Sequence, residues 1–195
     1  MKRLLITGFM PFGGEETNPS WEAVCRLSDE IGGYSLTKLL VPVVFGKATD
    51  TVVDMAQRIC PDVIISVGQA GGRSAVTPEL VAINLRYAKS PDNEGNLPQD
   101  EPVIVGGERA YFSTLPVRRI AEAISNEGIP SSVSCSAGTY VCNDLIYSLL
   151  ARYEKSDVRC GFIHVPYSKE QGKEPSMSID DMVKALTVAI ENIDS

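Results

Sequence analysis

Two apolar segments of different periodicity are joined by the stretch Ser136-Ala137-Gly138-Thr139-Tyr140-Val141-Cys142-Asn143-Asp144-Leu145. The segment before it, residues 132–135, alternates weakly and is predicted to be the end of a β-strand. The segment after it repeats apolar residues at helical spacing from Leu145 to Tyr153, which predicts an amphipathic helix. Ala137-Gly138-Thr139 suits a tight turn between the two, with Thr139 as the predicted N-cap. The stretch is therefore predicted to be a strand, a turn and a helix.

Cys142 falls in the first turn of this predicted helix. The free backbone N–H groups of a first turn and the positive end of the helix dipole both favour a thiolate. Such a position is one way to build an activated nucleophile. The alternative is a small buried core residue, because free cysteines are often packed as hydrophobic side chains. The position alone leaves both interpretations open.

Strands and helices alternate along most of the chain. The other predicted strands are residues 3–9, 35–44, 63–67, 79–85 and 159–165. The other predicted helices are one opening at Pro19 with Asn18 as its N-cap, one over residues 47–60, one over about 116–127 and one beginning near Ser178, where residues 178–181 resemble a capping box. Residues 87–107 are rich in turn-forming residues and are predicted to be irregular. This order predicts one α/β domain over residues 1–195, a three-layer α/β/α sandwich around a mainly parallel twisted sheet.

Composition and charge narrow the functional classes. The chain has 195 residues, enough for one sizeable core, and its net charge of −7 argues against a general binder of nucleic acid or anionic membranes. No apolar run approaches transmembrane length, and glycine and proline interrupt the short apolar run at the N-terminus, which is unlike a signal peptide. The five cysteines lack regular spacing and a Cys-x-x-Cys pair, as expected of free thiols in a reducing cytosol.

Three residues are candidates for nucleophilic catalysis. Cys142 is the candidate nucleophile, and His164, the single histidine, is the only imidazole that could act as its base. Glu79 enters an apolar run, where an unpaired charge would be costly, so it is the candidate acid that orients His164. The alternatives are a structural core histidine and a glutamate at a strand edge in water. Cys142, His164 and the loop that carries Gln69 lie near or just beyond the predicted carboxyl ends of strands, where parallel sheets place their sites.

Metal and phosphate sites are not indicated. One histidine without a Cys/His cluster at ligand spacing makes a zinc site an unfavoured prediction. The loop Gly68-Gln69-Ala70-Gly71-Gly72 matches neither the Walker pattern nor Gly-x-Gly-x-x-Gly, and a tight turn explains it equally well.

A series of short motifs resembles a known family along almost the whole chain. The motifs are Gly8-Phe9-x-Pro11-Phe12-Gly13-Gly14, Asn18-Pro19-Ser20-Trp21, Val67-Gly68-Gln69-Ala70-Gly71-Gly72-Arg73, Thr77-Pro78-Glu79, Pro91-Asp92-Asn93-Glu94-Gly95-Asn96, Ala137-Gly138-Thr139-Tyr140-Val141-Cys142-Asn143 and Phe162-Ile163-His164-Val165-Pro166. Each is short, but together and in this order they resemble the pyroglutamyl-peptidase I (pyrrolidone-carboxylate peptidase) family.

The resemblance implies a cytosolic cysteine peptidase of α/β/α architecture that removes N-terminal pyroglutamyl residues from peptides through a thioester. It implies that Glu79, Cys142 and His164 form the catalytic triad, in agreement with the choice made from the residues. It also implies a homotetramer without metal or organic cofactor, with peptides rather than nucleic acid or membrane as partners. The positions that match the substrate-binding residues of the family are Phe9, Phe12, Asn18, Gln69, Tyr140 and Val141.

The sequence departs from the family pattern at a few positions. Leu80 follows the acid where the family usually has a basic residue, Ser90 replaces an aliphatic residue, and Val43 replaces a residue that is often polar. These departures concern the substrate pocket more than the reaction. A non-catalytic small-molecule binder on the same scaffold is the alternative function.

Overall fold

A parallel sheet forms the middle layer of the computed structural model, which describes residues 1–194. Its six strands have the order β2-β3-β1-β4-β8-β5. The strands of the chain are β1 (Lys2–Phe9), β2 (Glu30–Ile31), β3 (Tyr34–Val41), β4 (Val63–Gln69), β5 (Thr77–Pro78), β6 (Val81–Ile83), β7 (Ala110–Phe112), β8 (Arg159–Val165), β9 (Tyr167–Ser168) and β10 (Ser176–Met177). β3, β1, β4 and β8 run parallel, and the two-residue strands β2 and β5 close the edges antiparallel.

Five α-helices cover both faces of this sheet. They are α1 (Pro19–Arg26), α2 (Lys47–Ile59), α3 (Val117–Asn126), α4 (Val141–Tyr153) and α5 (Ile179–Glu191). Helices α1, α3 and α5 share one core with Leu4 and Ile6 of β1, whereas α2 and α4 share a second core with Leu5. Because successive strand residues point to opposite faces, the alternation within β1 separates the two cores. The predicted three-layer α/β/α fold with a mainly parallel sheet is confirmed.

The predicted strand at residues 132–135 is wrong. That segment makes only isolated parallel bridges to the chain around β5, of which Glu79 with Ser134 is one. The predicted strand at residues 79–85 is also wrong as one element, since it divides after Glu79. β6 leaves the main sheet there and pairs with β7 in a separate ribbon. Alternation in the sequence could not show this division, because both parts have similar apolar character.

Two of the three N-caps predicted from the sequence are present in the structure. Asn18 caps α1, and its side chain accepts a hydrogen bond from the Ser20 amide. Ser178 caps α5 and accepts from the Asp181 amide. Thr139 does not cap α4, because its hydroxyl donates to the Tyr87 carbonyl instead and Tyr140 is the cap residue. Within residues 1–194, no helix has both the length and the apolar character needed to cross a membrane.

Candidate active site

A cavity of about 470 Å³ opens where β4 and β8 end and α4 begins. All the residues predicted for the site except Glu79 line it. The lining residues are Phe9, Phe12, Asn18, Val43, Gln69, Ala70, Arg73, Ser136, Ala137, Gly138, Tyr140, Val141, Cys142 and His164. The structure thus brings together residues that lie as far apart in the chain as Phe9 and His164.

Glu79 lies behind the cavity wall and holds His164. The Nδ1 atom of His164 is 2.7 Å from Oε1 of Glu79, and both side chains are almost fully buried. An ionised carboxylate can only accept hydrogen bonds, so Nδ1 carries the proton and Nε2 is left as the basic nitrogen. The pair has the tautomer that a general base requires.

Arg73 is a charged neighbour of this pair that was not among the predicted site residues. Its Nη1 atom donates to Oε1 of Glu79 at 2.6 Å and to the hydroxyl of Thr77 at 2.6 Å. Its Nη2 atom donates to the Ser136 carbonyl at 3.0 Å. The arginine ends a glycine-rich motif of the sequence, but nothing local in that motif predicts a partner six residues away.

Burial and charge act in opposite directions on the two members of the pair. Burial alone would raise the pKa of Glu79, but the hydrogen bond and charge of His164, together with hydrogen bonds from Ser134 and Arg73, outweigh this and lower the pKa. Burial lowers the pKa of His164, and the positive charge of Arg73 adds to this, against the opposing effect of Glu79. An anionic carboxylate beside a neutral imidazole is the favoured state at neutral pH.

Cys142 occupies the second position of α4 and packs over Gly68 of β4. A Cβ atom added to Gly68 would lie 3.0 Å from the Cys142 sulfur and 2.7 Å from the Phe162 ring. Gly68 is paired with His164 in the sheet register, so the sulfur sits at the level of His164 along the strands. The absence of a side chain at Gly68 is what lets the thiol approach the sheet this closely.

The environment of Cys142 does not stabilise a resting thiolate. Burial, with a further contribution from the negative Glu79, raises the pKa of the Cys142 thiol to about 12, although Arg73 and the backbone amide act in the other direction. The backbone amide at the helix start does favour the thiolate, as predicted, but its effect is the smaller one. Burial outweighs the helix dipole here, so the thiol needs a base when it reacts.

Cys142 is the one cysteine of the described chain that lines the cavity. Cys25, Cys60 and Cys135 are exposed on the surface, and Cys160 is buried in the core. Cys142, the candidate nucleophile, thus differs from the other four thiols in its position in the structure.

Aromatic rings form the wall of the cavity opposite the strand ends. The rings of Phe12 and Tyr140 lie 6.5 Å apart, and Phe45 packs edge-on against Tyr140 at 5.3 Å. Phe9 is buried deeper and packs at 6.3 Å from Phe162, which in turn lies 4.6 Å from the His164 ring. The rings offer flat apolar surfaces on one side and support the imidazole on the other.

The predicted polar residues of the pocket are already engaged within the protein. Asn18 is buried, accepts from the amide and hydroxyl of Ser20, and donates to the Met10 carbonyl. The side-chain oxygen of Gln69 accepts from Gln171 at 3.0 Å. Asn18 thus shapes the cavity chiefly by fixing α1. Val141, an apolar residue that is also predicted for the pocket, is fully buried at the first position of α4.

The irregular segment at residues 87–107 supports the aromatic wall. Asp92 is buried and accepts hydrogen bonds from the amides of Phe45, Glu94 and Asn96. The carbonyl of Pro91 accepts from the Tyr140 hydroxyl at 3.0 Å. The predicted irregular loop is confirmed, and its hydrogen bonds fix the ring of Tyr140.

Comparison with known proteins shows close relatives over the full length. The family model for pyroglutamyl peptidase matches residues 2–195. The chain is 47% identical to a pyrrolidone-carboxylate peptidase of Lactobacillus helveticus, with 97% of each chain covered. It is 50% identical to one from Bacillus amyloliquefaciens, covering 96% of this chain and 90% of the relative.

Solved structures agree with these matches. Pyroglutamyl peptidase I of Bacillus amyloliquefaciens superposes with a TM-score of 0.95 at 48% identity, covering 99% of this chain and 97% of the other. A mutant pyrrolidone carboxyl peptidase of Pyrococcus furiosus gives a TM-score of 0.92 at 40% identity, covering 98% and 97%.

Proposed function

The chain belongs to the pyroglutamyl peptidase family, and on this premise we propose that it removes N-terminal pyroglutamyl residues from peptides through a thioester on Cys142. The chain is a cysteine-type hydrolase by its relatives. The observation that supports the proposed triad is the 2.7 Å contact between Glu79 and His164, buried directly behind a cavity that Cys142 lines.

In the first step, Cys142 attacks the carbonyl carbon of the pyroglutamyl residue. The high pKa of the thiol means that its proton moves to Nε2 of His164 as the sulfur–carbon bond forms. The positive charge that develops on the imidazole is stabilised by Glu79, which is held as an anion. First-turn N–H groups at the start of α4 face no partner within the helix and stabilise the oxyanion.

In the second step, the peptide bond breaks and the products separate. His164 donates its Nε2 proton to the leaving amine, which departs as the shortened peptide, and Cys142 keeps the acyl group as a thioester. His164 then takes a proton from water, the resulting hydroxide attacks the thioester, and the thiol is regenerated with release of pyroglutamate. No oxidant, reductant or metal is required.

The aromatic wall suits the substrate ring. Pyroglutamate offers two apolar faces, one N–H donor and one carbonyl acceptor, and it lacks the charged amine that ordinary aminopeptidases bind. Phe12 and Tyr140 line the cavity and suit the ring faces, and we assign the polar edge to the backbone around Gln69, which lines the same cavity. The cavity of about 470 Å³ is larger than one such ring and leaves room for the start of the leaving peptide.

Hydrolysis of pyroglutamyl-aminomethylcoumarin tests the function directly. The wild-type chain should release the fluorophore, C142A should release none, and C25A, which changes an exposed thiol far from the cavity, should retain wild-type turnover. Binding without turnover would instead identify a small-molecule binder, and activity in C142A would exclude the proposed nucleophile.

A matched prolyl substrate tests how the ring is recognised. Proline keeps the ring but lacks the lactam carbonyl and has a charged amine, which the apolar wall would have to desolvate. The pyroglutamyl substrate should therefore be favoured by roughly a hundredfold to ten-thousandfold in kcat/KM. Equal values would mean that the lactam is not recognised. The cytosolic location and the homotetramer implied by the family resemblance stay predictions.

A further inference from the structure

One oxygen of Glu79 serves two partners. Oε1 accepts from Nδ1 of His164 at 2.7 Å and from Nη1 of Arg73 at 2.6 Å, while the buried Oε2 has no hydrogen-bond partner among the described residues. Oε1 must keep its position if it is to orient the imidazole of His164. The Arg73 guanidinium holds it there, because its planar fork is itself held at other points.

The same guanidinium reaches the segment that leads to the nucleophile. Nη2 of Arg73 donates to the Ser136 carbonyl at 3.0 Å, six residues before Cys142 and at the entry of the turn into α4. Nη1 also donates to Thr77, which is paired with His164 in the sheet register. Arg73 therefore bridges the chain segments that carry the base, its acid and the nucleophile.

We propose that Arg73 is a positioning residue of this active site, one that fixes the Glu79 carboxylate against His164 and ties it to the segment that leads into Cys142. The inference rests on the proposed function and adds a fourth residue to its triad. Arg73 is about one-third exposed at its side chain and faces the cavity, whereas Glu79 is almost fully buried.

The charge of Arg73 gives this role a readout that a purely structural role would lack. The titratable and charged groups facing His164 are Glu79 directly after β5, Arg73 in the loop after β4, and Cys142 at the start of α4. Arg73 lowers the pKa of both His164 and Cys142. Removing its charge should therefore raise the pKa of the base and move the acid limb of kcat/KM to higher pH.

The experiment is the pH dependence of kcat/KM on pyroglutamyl-aminomethylcoumarin for the wild type, R73Q and R73K. R73Q should lower the plateau kcat by about tenfold to a hundredfold and move the acid limb up by about one pH unit. R73K keeps the charge but loses the fork, so it should lower kcat and leave the limb at the wild-type position. Circular dichroism of each variant tests whether it is folded.

Arg159 provides the matched control. Its side chain is as buried as that of Arg73 and is also ion-paired, to Asp194, but it stands at the opposite end of β8 from His164. R159Q should keep the wild-type kcat and the wild-type pH position of the acid limb of kcat/KM. A wild-type limb in R73Q, or an equal shift in R159Q, would overturn the inference. If R73Q does not fold, R73K decides, since wild-type kcat in R73K would also overturn it. If the wild-type chain does not hydrolyse the substrate, or if C142A does hydrolyse it, the result counts against the proposed function instead.

Discussion

A single methyl group added beneath the nucleophile should abolish most activity. In Gly68→Ala the new Cβ would lie 3.0 Å from the Cys142 sulfur and 2.7 Å from Cζ of Phe162, whereas ordinary contacts begin at 3.4 Å. The sulfur must then move by at least 0.4 Å, the difference between 3.4 and 3.0 Å. Phe162 cannot yield freely, because its ring is packed between Phe9 and His164.

The size of the effect follows from these displacements. Misplacement of a reacting group by about 1 Å costs on the order of a hundredfold in rate, so kcat of Gly68→Ala should fall by roughly sixfold for a shift of 0.4 Å and by up to about a hundredfold for a shift near 1 Å. Overpacking of the core should also cost about 1–3 kcal/mol of the free energy of unfolding. In a chain of this length that corresponds to a fall in Tm of about 2–4 °C per kcal/mol.

Gly161→Ala is the control that separates these two effects. Its Cβ would lie 2.2 Å from a terminal methyl of Leu115, so it overpacks the core from the same sheet without touching Cys142. Both variants should lower Tm in a thermal melt, but at 25 °C only Gly68→Ala should lose kcat on pyroglutamyl-aminomethylcoumarin. Wild-type kcat in Gly68→Ala, or an equal loss in Gly161→Ala, would refute the reasoning.

Four further predictions concern the Glu79–His164 pair, the aromatic wall, the Cys142 thiol and the pH dependence of the reaction. Glu79→Gln should lower kcat by roughly a hundredfold or more, because an amide no longer fixes the tautomer of His164, and near-wild-type turnover would show that another group orients the imidazole. Phe12→Ala should raise KM more than it lowers kcat, because ring packing is present in the ground state. Truncation of the exposed Phe112 to alanine is the control and should change neither constant. Steady-state kinetics on both variants test this prediction. Alkylation of Cys142 by iodoacetamide, followed by mass spectrometry, should accelerate about tenfold per pH unit between about pH 6 and about pH 10, because only the thiolate reacts; a plateau in that range would reveal a resting thiolate. Because the pKa of His164 is lowered from 6.5, the neutral base persists below that pH, so kcat/KM should fall only as the pH drops through the lower folded-state value.

Local sequence patterns predicted the elements that depend on neighbours in the chain. β8 has the predicted bounds, and the caps at Asn18 and Ser178 are where the sequence places them. Caps and periodicity act over a few residues, so short-range chemistry is enough to predict them. Thr139 shows the limit of such reasoning, because its hydroxyl binds a carbonyl 52 residues away instead of capping α4.

Sequence alone also limits which side chains can act as the base and as its orienting acid. With one histidine in the chain, His164 was the only candidate imidazole, and a glutamate entering an apolar run already implied a partner. The family motifs added the pocket residues, and the structure gathers them around one cavity.

How these groups act on one another depends on contacts between distant parts of the chain. Glu79 and His164 are 85 residues apart and meet because β5 pairs with β8, a register that no local pattern contains. Arg73 reaches the same carboxylate across a turn, and Gly68 lets the thiol lie against the sheet. The position of Cys142 in the helix does not by itself give the protonation state of the thiol, because burial is a property of the whole packed site and here outweighs the helix dipole.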